Sequence, residues 1–333
     1  MKSLSVLIAA VVASLVSAVP ADAAETMSAH LAQNLSPISG VVLVAEKEGF
    51  FTKHGLDISI SNFTSGKQCL DTVMGGAADI ATTAETPFTA AMLANQPVAF
   101  LARMEYSDDN MLTAVAAHIN KFADLKGKRI GYTASTGSEI TTDMILAKAK
   151  LTRADVTMIN LRPQDMVSAL ATGSIDAYDT WEPHIYDGKK ALGAKVKGLS
   201  AAGIYSETFN IAVTQNYLKT HEKLLEKFLA AMIDAEAWMK AHRTAAIADV
   251  ADTVGMKPAD LAPIWNGYVY HVALDQKQIG ILTLNTNWRL RTGNHPVGVT
   301  KMPDLAKFVF PAPLRAVAAD RVTLAAGWNV SSR

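Results

Sequence analysis

Three short loops in this 333-residue chain place hydroxyl groups beside a glycine where a helix is expected to begin: Ser36-Pro37-Ile38-Ser39-Gly40, Thr64-Ser65-Gly66 and Thr133-Ala134-Ser135-Thr136-Gly137-Ser138. A helix N-terminus offers unpaired backbone N–H groups and a partial positive charge, so such a loop either caps its own helix or binds a cluster of anionic oxygens. Ser36, Ser39, Thr64, Ser65, Gly66, Ser135, Thr136, Gly137 and Ser138 are therefore candidate ligand contacts, joined by Thr83 at the end of an expected strand. Three acids pull the other way. Glu85, Asp179 and Glu182 follow expected strands, where each would repel an anion and attract an ammonium group; Glu182 alternatively caps the next helix or pairs with a lysine. Trp181 adds a flat face for an alkyl or cationic stem. A ligand bearing both charges satisfies both sets. Arg103, at a strand end, either clamps an anion bidentately or reaches solvent, and Phe209 and Asn210 complete the candidates.

Catalysis finds no comparable set. The eight histidines are scattered without the spacing of a triad or a metal site. Cys69 is the only cysteine, which excludes an intrachain disulfide and any multi-cysteine metal site and leaves it the part of a small buried hydrophobe. No metal or cofactor is expected.

The elements that carry these residues form a disguised repeat. Residues 77–85 return 97 positions later as residues 174–182, and at the same offset Gly40 meets Gly137, Lys53 meets Lys150, Asp79 meets Asp176, Thr83 meets Thr180 and Glu85 meets Glu182. Two lobes of like construction are predicted, with matching loops facing a cleft. Apolar periodicity predicts strands at 27–33, 56–60, 78–82, 98–103 and 111–117 in the first half. Between them come a helix from Gly40 to Glu48 and one carrying Cys69, Leu70, Val73 and Met74. The second half repeats the order: strand 130–133, a helix bearing Ile140, Met144 and Ala147, strand 156–161, helix 163–171 and strand 175–178. A strand at 209–214 then precedes a long amphipathic helix through Leu225, Phe228, Leu229, Met232, Ala235 and Met239, with mainly helical structure to about residue 291. The fold class is α/β, with parallel-rich sheets and helices on both faces.

Composition narrows the partners. Lysine plus arginine equals aspartate plus glutamate at 31 each, so no global field draws nucleic acid or an anionic membrane. Lys2, the uncharged apolar run 4–19 and Ala21-Asp22-Ala23 read as a secretory signal peptide over 1–23, with the exported chain beginning at Ala24 and no later stretch long and apolar enough to cross a bilayer.

Several segments together resemble the periplasmic solute-binding proteins of ABC importers in the sulfonate, taurine and nitrate family. They are Ala45-Glu46-Lys47-Glu48-Gly49-Phe50-Phe51 running into His54-Gly55-Leu56, Phe63-Thr64-Ser65-Gly66, Gly76-Ala77-Ala78-Asp79-Ile80, Asp124-Leu125-Lys126-Gly127-Lys128-Arg129-Ile130-Gly131, and Gly173-Ser174-Ile175-Asp176-Ala177 leading to Trp181-Glu182-Pro183. The resemblance implies a monomeric type II periplasmic binding fold. Its lobe 1 would span 24–114 and 213–333 and its lobe 2 115–212, with crossovers near 114–118 and 209–212. It also implies delivery of a small ligand to an inner-membrane permease driven by a cytoplasmic ATPase. Members bind sulfonates, nitrate, bicarbonate, pyrimidine vitamin precursors or aromatic acids. Acids in both matching loops favour a zwitterion such as taurine over bare nitrate. Pyrimidine synthases of the same superfamily carry a cysteine-rich loop that this chain lacks, while a sensor subunit serving a receptor kinase shares its pattern.

Overall fold

A computed structural model describes residues 26–108, 110–325 and 328, so the expected signal peptide lies outside the described residues. The first run of elements is β1 (Met27–Asn34), α1 (Gly40–Lys47), α2 (Phe50–Lys53), β2 (Leu56–Phe63), α3 (Gly66–Met74), β3 (Ile80–Ala84), α4 (Glu85–Leu93) and β4 (Val98–Ser107). The second is β5 (Asn110–Ala114), β6 (Arg129–Tyr132), α5 (Gly137–Lys148), β7 (Thr157–Asn160), α6 (Pro163–Ala171), β8 (Ala177–Thr180), α7 (His184–Leu192) and β9 (Val196–Ser200). The chain then returns through β10 (Glu207–Thr214), α8 (Gln215–Thr220), α9 (Glu222–Ala241), α10 (Arg243–Thr253), α11 (Pro258–Leu261), β11 (Val269–Asp275), α12 (Gln276–Thr292), α13 (Ala312–Val317) and β12 (Val322–Thr323).

Two sheets result, ordered β12-β11-β4-β10-β3-β1-β2 and β7-β6-β8-β5-β9. The shared pattern is plain when β2-β1-β3-β10-β4 is laid beside β7-β6-β8-β5-β9. In each sheet three parallel strands are followed by one antiparallel strand, β10 against β3 and β5 against β8. Each antiparallel strand is the first element after a crossing from the other sheet.

The repeated aspartates show why the duplication survives in sequence. Asp79 accepts the His30 N–H at 2.8 Å while its own N–H reaches the His30 carbonyl, and Asp176 does the same with Arg129 at the same distance. Both side chains pin neighbouring parallel strands together. Burial does the rest. Leu31, Val41, Phe88, Phe100, Phe228 and Leu229 are fully buried around the first sheet, each contributing roughly 1.5–3 kcal/mol. In the second body Met111 and Leu112 go to separate cores on opposite faces of the sheet, as the alternation of a strand requires.

Helix α12 bridges the bodies, as does Asp260 of α11, which accepts from Tyr186 and Lys190 of α7 at 2.9 and 2.6 Å. Trp288 of α12 is 2% exposed, packs with Ile140 and Tyr205, and donates its indole N–H to Asp143 Oδ2 of α5 at 2.8 Å.

The structure moves several boundaries. The chain changes sheets between Ser107 and Asn110 and returns between Ser200 and Glu207, not at 114–118 and 209–212. The apolar run past residue 114 belongs to a 3-10 turn (Val115–Ala117), and Phe209 is already paired with Ala84. Ala147 is exposed, and Ile145 with Leu146 carries the buried face of α5. Strand β9 was not foreseen, and β11 interrupts the stretch read as helical.

Candidate functional site

The first helix start is shaped by a cap and a close approach. The Ser65 hydroxyl accepts the Gln68 N–H at the start of α3, and Thr64 ties to the Gln68 side chain through both its N–H and its hydroxyl. A Cβ on Gly66 would stand 2.9 Å from Thr83 Cα and 3.0 Å from Phe209 Cζ, so only glycine lets the first turn of α3 rest on β3. Lys67 follows in that turn and pairs with Asp71 on its outer side.

Across the gap, Thr136 occupies the N-cap position of α5, whose first residue is Gly137, without a side-chain cap bond; its hydroxyl donates to the Thr133 carbonyl at 2.8 Å. Above Gly137 sits Glu207, 4% exposed, from the first residue of β10. Ser65, Gly66, Lys67 and Phe209 from one side line a pocket with Thr136 and Trp181 from the other, together with Glu207. The space is tight, with a cavity volume of about 30 Å³. A second pocket, with a cavity volume of about 240 Å³, lies against Ser36, Pro37 and Thr64 on one side and Pro163, Pro183 and His184 on the other. Trp181 lines both, so the two form an inner and an outer chamber sharing one indole wall. His184 meets that indole edge-on, and burial pushes its imidazole down to about 4, leaving it neutral at pH 7.

Several buried polar atoms here have no protein partner: the hydroxyls of Ser36, Ser39 and Thr180 and the Asn210 side-chain carbonyl. Leaving such a group unsatisfied costs about 1–3 kcal/mol, and of the four residues Ser36 lines the second pocket, where a polar guest or water can complete its bonding. The Asn210 amide is engaged, donating to the Thr83 and Thr208 carbonyls at 3.1 Å each.

Other candidates serve the scaffold. Ser138 donates to the Asp179 carbonyl at 2.6 Å and accepts the Thr133 N–H at 3.0 Å. Glu85 is fully buried and accepts from the Thr208 N–H (2.7 Å), the Thr208 hydroxyl (3.0 Å), the Thr86 hydroxyl (2.9 Å) and the Tyr205 phenol. Burial raises its pKa against the pull of these donors, and it stitches α4 to the returning crossover. Glu182 accepts the Tyr186 N–H at 2.8 Å, the helix-capping alternative, and burial raises its pKa too. Arg103 is neither an anion clamp nor solvent-facing. It forks onto Asp275 at 2.9 and 3.1 Å with 2% of its side chain exposed, and Asp275 in turn caps α12 through the Gln278 N–H. Ser135 adopts a left-handed φ of 61°, gives its N–H to Glu139, and lines a surface hollow with Arg289 and His295. Thr83 lies buried under Gly66, and Asp179 is buried at the end of β8.

Sequence reasoning missed Lys67 and Glu207. The first was legible as the residue after the Gly66 loop. The second had no local signal, because its place over Gly137 depends on a contact 70 residues apart in sequence.

With this geometry in view, residues 37–246 match the sequence profile of the family described as NMT1/THI5 like. The chain belongs to the NMT1/THI5-like family. A protein of Bacillus subtilis (strain 168) named for binding aliphatic sulfonates is 26% identical over 220 residues, 63% of this chain and 64% of that relative. The chain thus spans just under two thirds of that relative's length. Among solved structures, the alkanesulfonate-binding protein SsuA from Xanthomonas axonopodis pv. citri, bound to MOPS, superposes with a TM-score of 0.72 at 18% identity, covering 91% of this chain and all of that one. The desulfurization enzyme DszB gives 0.64 at 16% identity over 88% of this NMT1/THI5-like chain and 99% of its own. The fold is that of periplasmic binding proteins, and it accompanies both capture and catalysis. Among the described residues no helix is long and apolar enough to cross a membrane and no cluster of three or more His, Cys, Asp or Glu is placed to hold a metal.

Proposed function

We propose that this NMT1/THI5-like protein is the extracytoplasmic solute-binding subunit of an ABC importer. It captures a small sulfonate-like or zwitterionic anion and hands it to an inner-membrane permease. The observation that carries this reading is the inner pocket. There the first turn of α3, with Ser65, Gly66 and Lys67, shares one space with Thr136 and Trp181 of the other body, and Trp181 also walls the second pocket, where the Ser36 hydroxyl has no protein partner. The α3 N-terminus supplies positive potential for anionic oxygens, Lys67 stands beside it paired with Asp71, and Trp181 and Phe209 supply apolar walls. Because the lining comes from both sheets, a ligand touching both sides favours the closed arrangement over the open one, and burial strengthens each polar contact. Export to the periplasm, supported by the pattern of residues 1–23, places the protein where such capture is useful.

Cysteine chemistry is the weaker reading. Cys69 is fully buried, bonds to the Ser65 carbonyl, and burial pushes its thiol up to about 12, so it offers no thiolate nucleophile. The test is a thermal-shift screen of the exported protein with taurine, alkanesulfonates, nitrate, aminopyrimidines and aromatic acids. At about 100 times Kd a ligand adds about 2.7 kcal/mol, a rise of roughly 5 °C. A sulfonate that raises Tm supports the reading, a rise with another class alone reassigns the ligand, and no rise with any compound overturns it.

A further inference from the structure

The two helix starts related by the internal repeat are covered by chemically different side chains. At Gly40, the start of α1, an added Cβ would stand 2.7 Å from the Tyr270 hydroxyl, which itself donates to the Pro37 carbonyl at 2.6 Å. At Gly137, the start of α5, an added Cβ would stand 2.7 Å from the Glu207 carboxylate. One entrance is therefore topped by a neutral phenol and the other by an acid. The partial positive charge of α5, which the repeat alone would leave to recruit a ligand's oxygens, is answered by the protein's own carboxylate. Glu207 is also part of the inner pocket lining, in the same space as Lys67 and the α3 N-terminus. The lining therefore sets the α3 N-terminus on one side against an acid side chain beside α5 on the other.

We propose that Glu207 is the specificity-determining residue of the site, holding an ammonium or similar cationic N–H group while the ligand's anionic end meets Ser65, Gly66 and Lys67. This rests on the binding function proposed above and narrows it to small amino-bearing zwitterions, with a short spacer between the charges lying along Trp181 and Phe209. A simple anion, or an alkanesulfonate without the amine, meets an acid where it has nothing to donate. An ionised carboxylate offers roughly four acceptor positions, enough to serve the α5 terminus and a ligand together.

Matched pairs test this by calorimetry on the exported protein: taurine against ethanesulfonate, β-alanine against propionate, and 2-aminoethylphosphonate against ethylphosphonate. In the wild type the amine-bearing member binds about tenfold or more tighter in whichever pair binds. Glu207→Gln brings that pair within about threefold, chiefly by weakening the amine-bearing member. Gly137→Ala, whose methyl displaces the carboxylate without touching its charge, erodes the preference in the same direction and guards against a poorly folded Gln variant. Equal binding within pairs by the wild type, or equal weakening of both members by Glu207→Gln, overturns the assignment. Failure of the sulfonate pair with a preference in another pair removes the sulfonate reading and leaves Glu207 in place; no binding by any member overturns both.

Discussion

Replacing Glu236 by glutamine should destabilise the protein in a way that disappears in acid. Glu236 of α9 is fully buried and accepts from Arg321 Nη1 at 2.5 Å, Lys240 Nζ at 2.6 Å, the Val272 N–H at 2.8 Å and His271 Nδ1 at 3.2 Å. Burial alone would raise its pKa, but the four donors outweigh it and hold the group at about 2, below the ordinary 4.5. A depressed carboxylate contributes its stability above the unfolded-state value and loses it as pH falls towards the folded-state value. At about 1.4 kcal/mol per unit the contribution is about 3 kcal/mol at pH 7, comparable to the cost of breaking a buried pair from one side. Urea denaturation of wild type and Glu236→Gln at several pH values measures it. The gap in unfolding free energy should be about 3 kcal/mol at pH 7, narrow below about pH 4.5 and close near pH 2. A gap that stays constant with pH would refute the reasoning, since it would place the carboxylate's worth in packing rather than charge.

Glu182→Ala removes the cap on the Tyr186 N–H, so stability should fall by about 1 kcal/mol in urea melts while calorimetric affinity changes by less than about twofold. A loss of tenfold or more would return Glu182 to the ligand. Gly66→Ala drives a methyl to within 2.9 Å of the β3 backbone, and should cost about 1–3 kcal/mol and weaken ligand binding as the first turn of α3 lifts from the pocket floor. Unchanged stability together with unchanged affinity would contradict the close approach.

The scaffold was largely legible because its devices are local or periodic. The predicted helix at 163–171 matches α6, and every apolar residue named on the long helix is buried in α9. The offset pairing of Asp79 with Asp176 corresponds to one repeated strand clamp. β9 escaped notice because, as an edge strand, it buries no residue fully and shows no period of two. β11 begins on exposed Val269, is half-buried at Tyr270 and His271 and buried over the next three residues, which breaks alternation inside a stretch dominated by helices. The pocket was harder. Ser65, Gly66 and Thr136, which line the pocket, were legible as helix starts and Trp181 as part of the loop after the repeated strand, whereas Arg103 and Glu85 looked available only because their partners, Asp275 and Tyr205, lie more than a hundred residues away. Glu207 escaped for the same reason in reverse.

Trp288 turns the bond between α12 and α5 into an optical signal. Its ring is sealed between the two bodies with its N–H on Asp143, so any motion that parts them wets the indole and removes its hydrogen-bond acceptor together. Tryptophan emission moves to the red and becomes open to quenching by iodide or acrylamide when the ring meets water. The molecule carries its own unlabelled gauge of opening, readable in a stopped-flow cuvette.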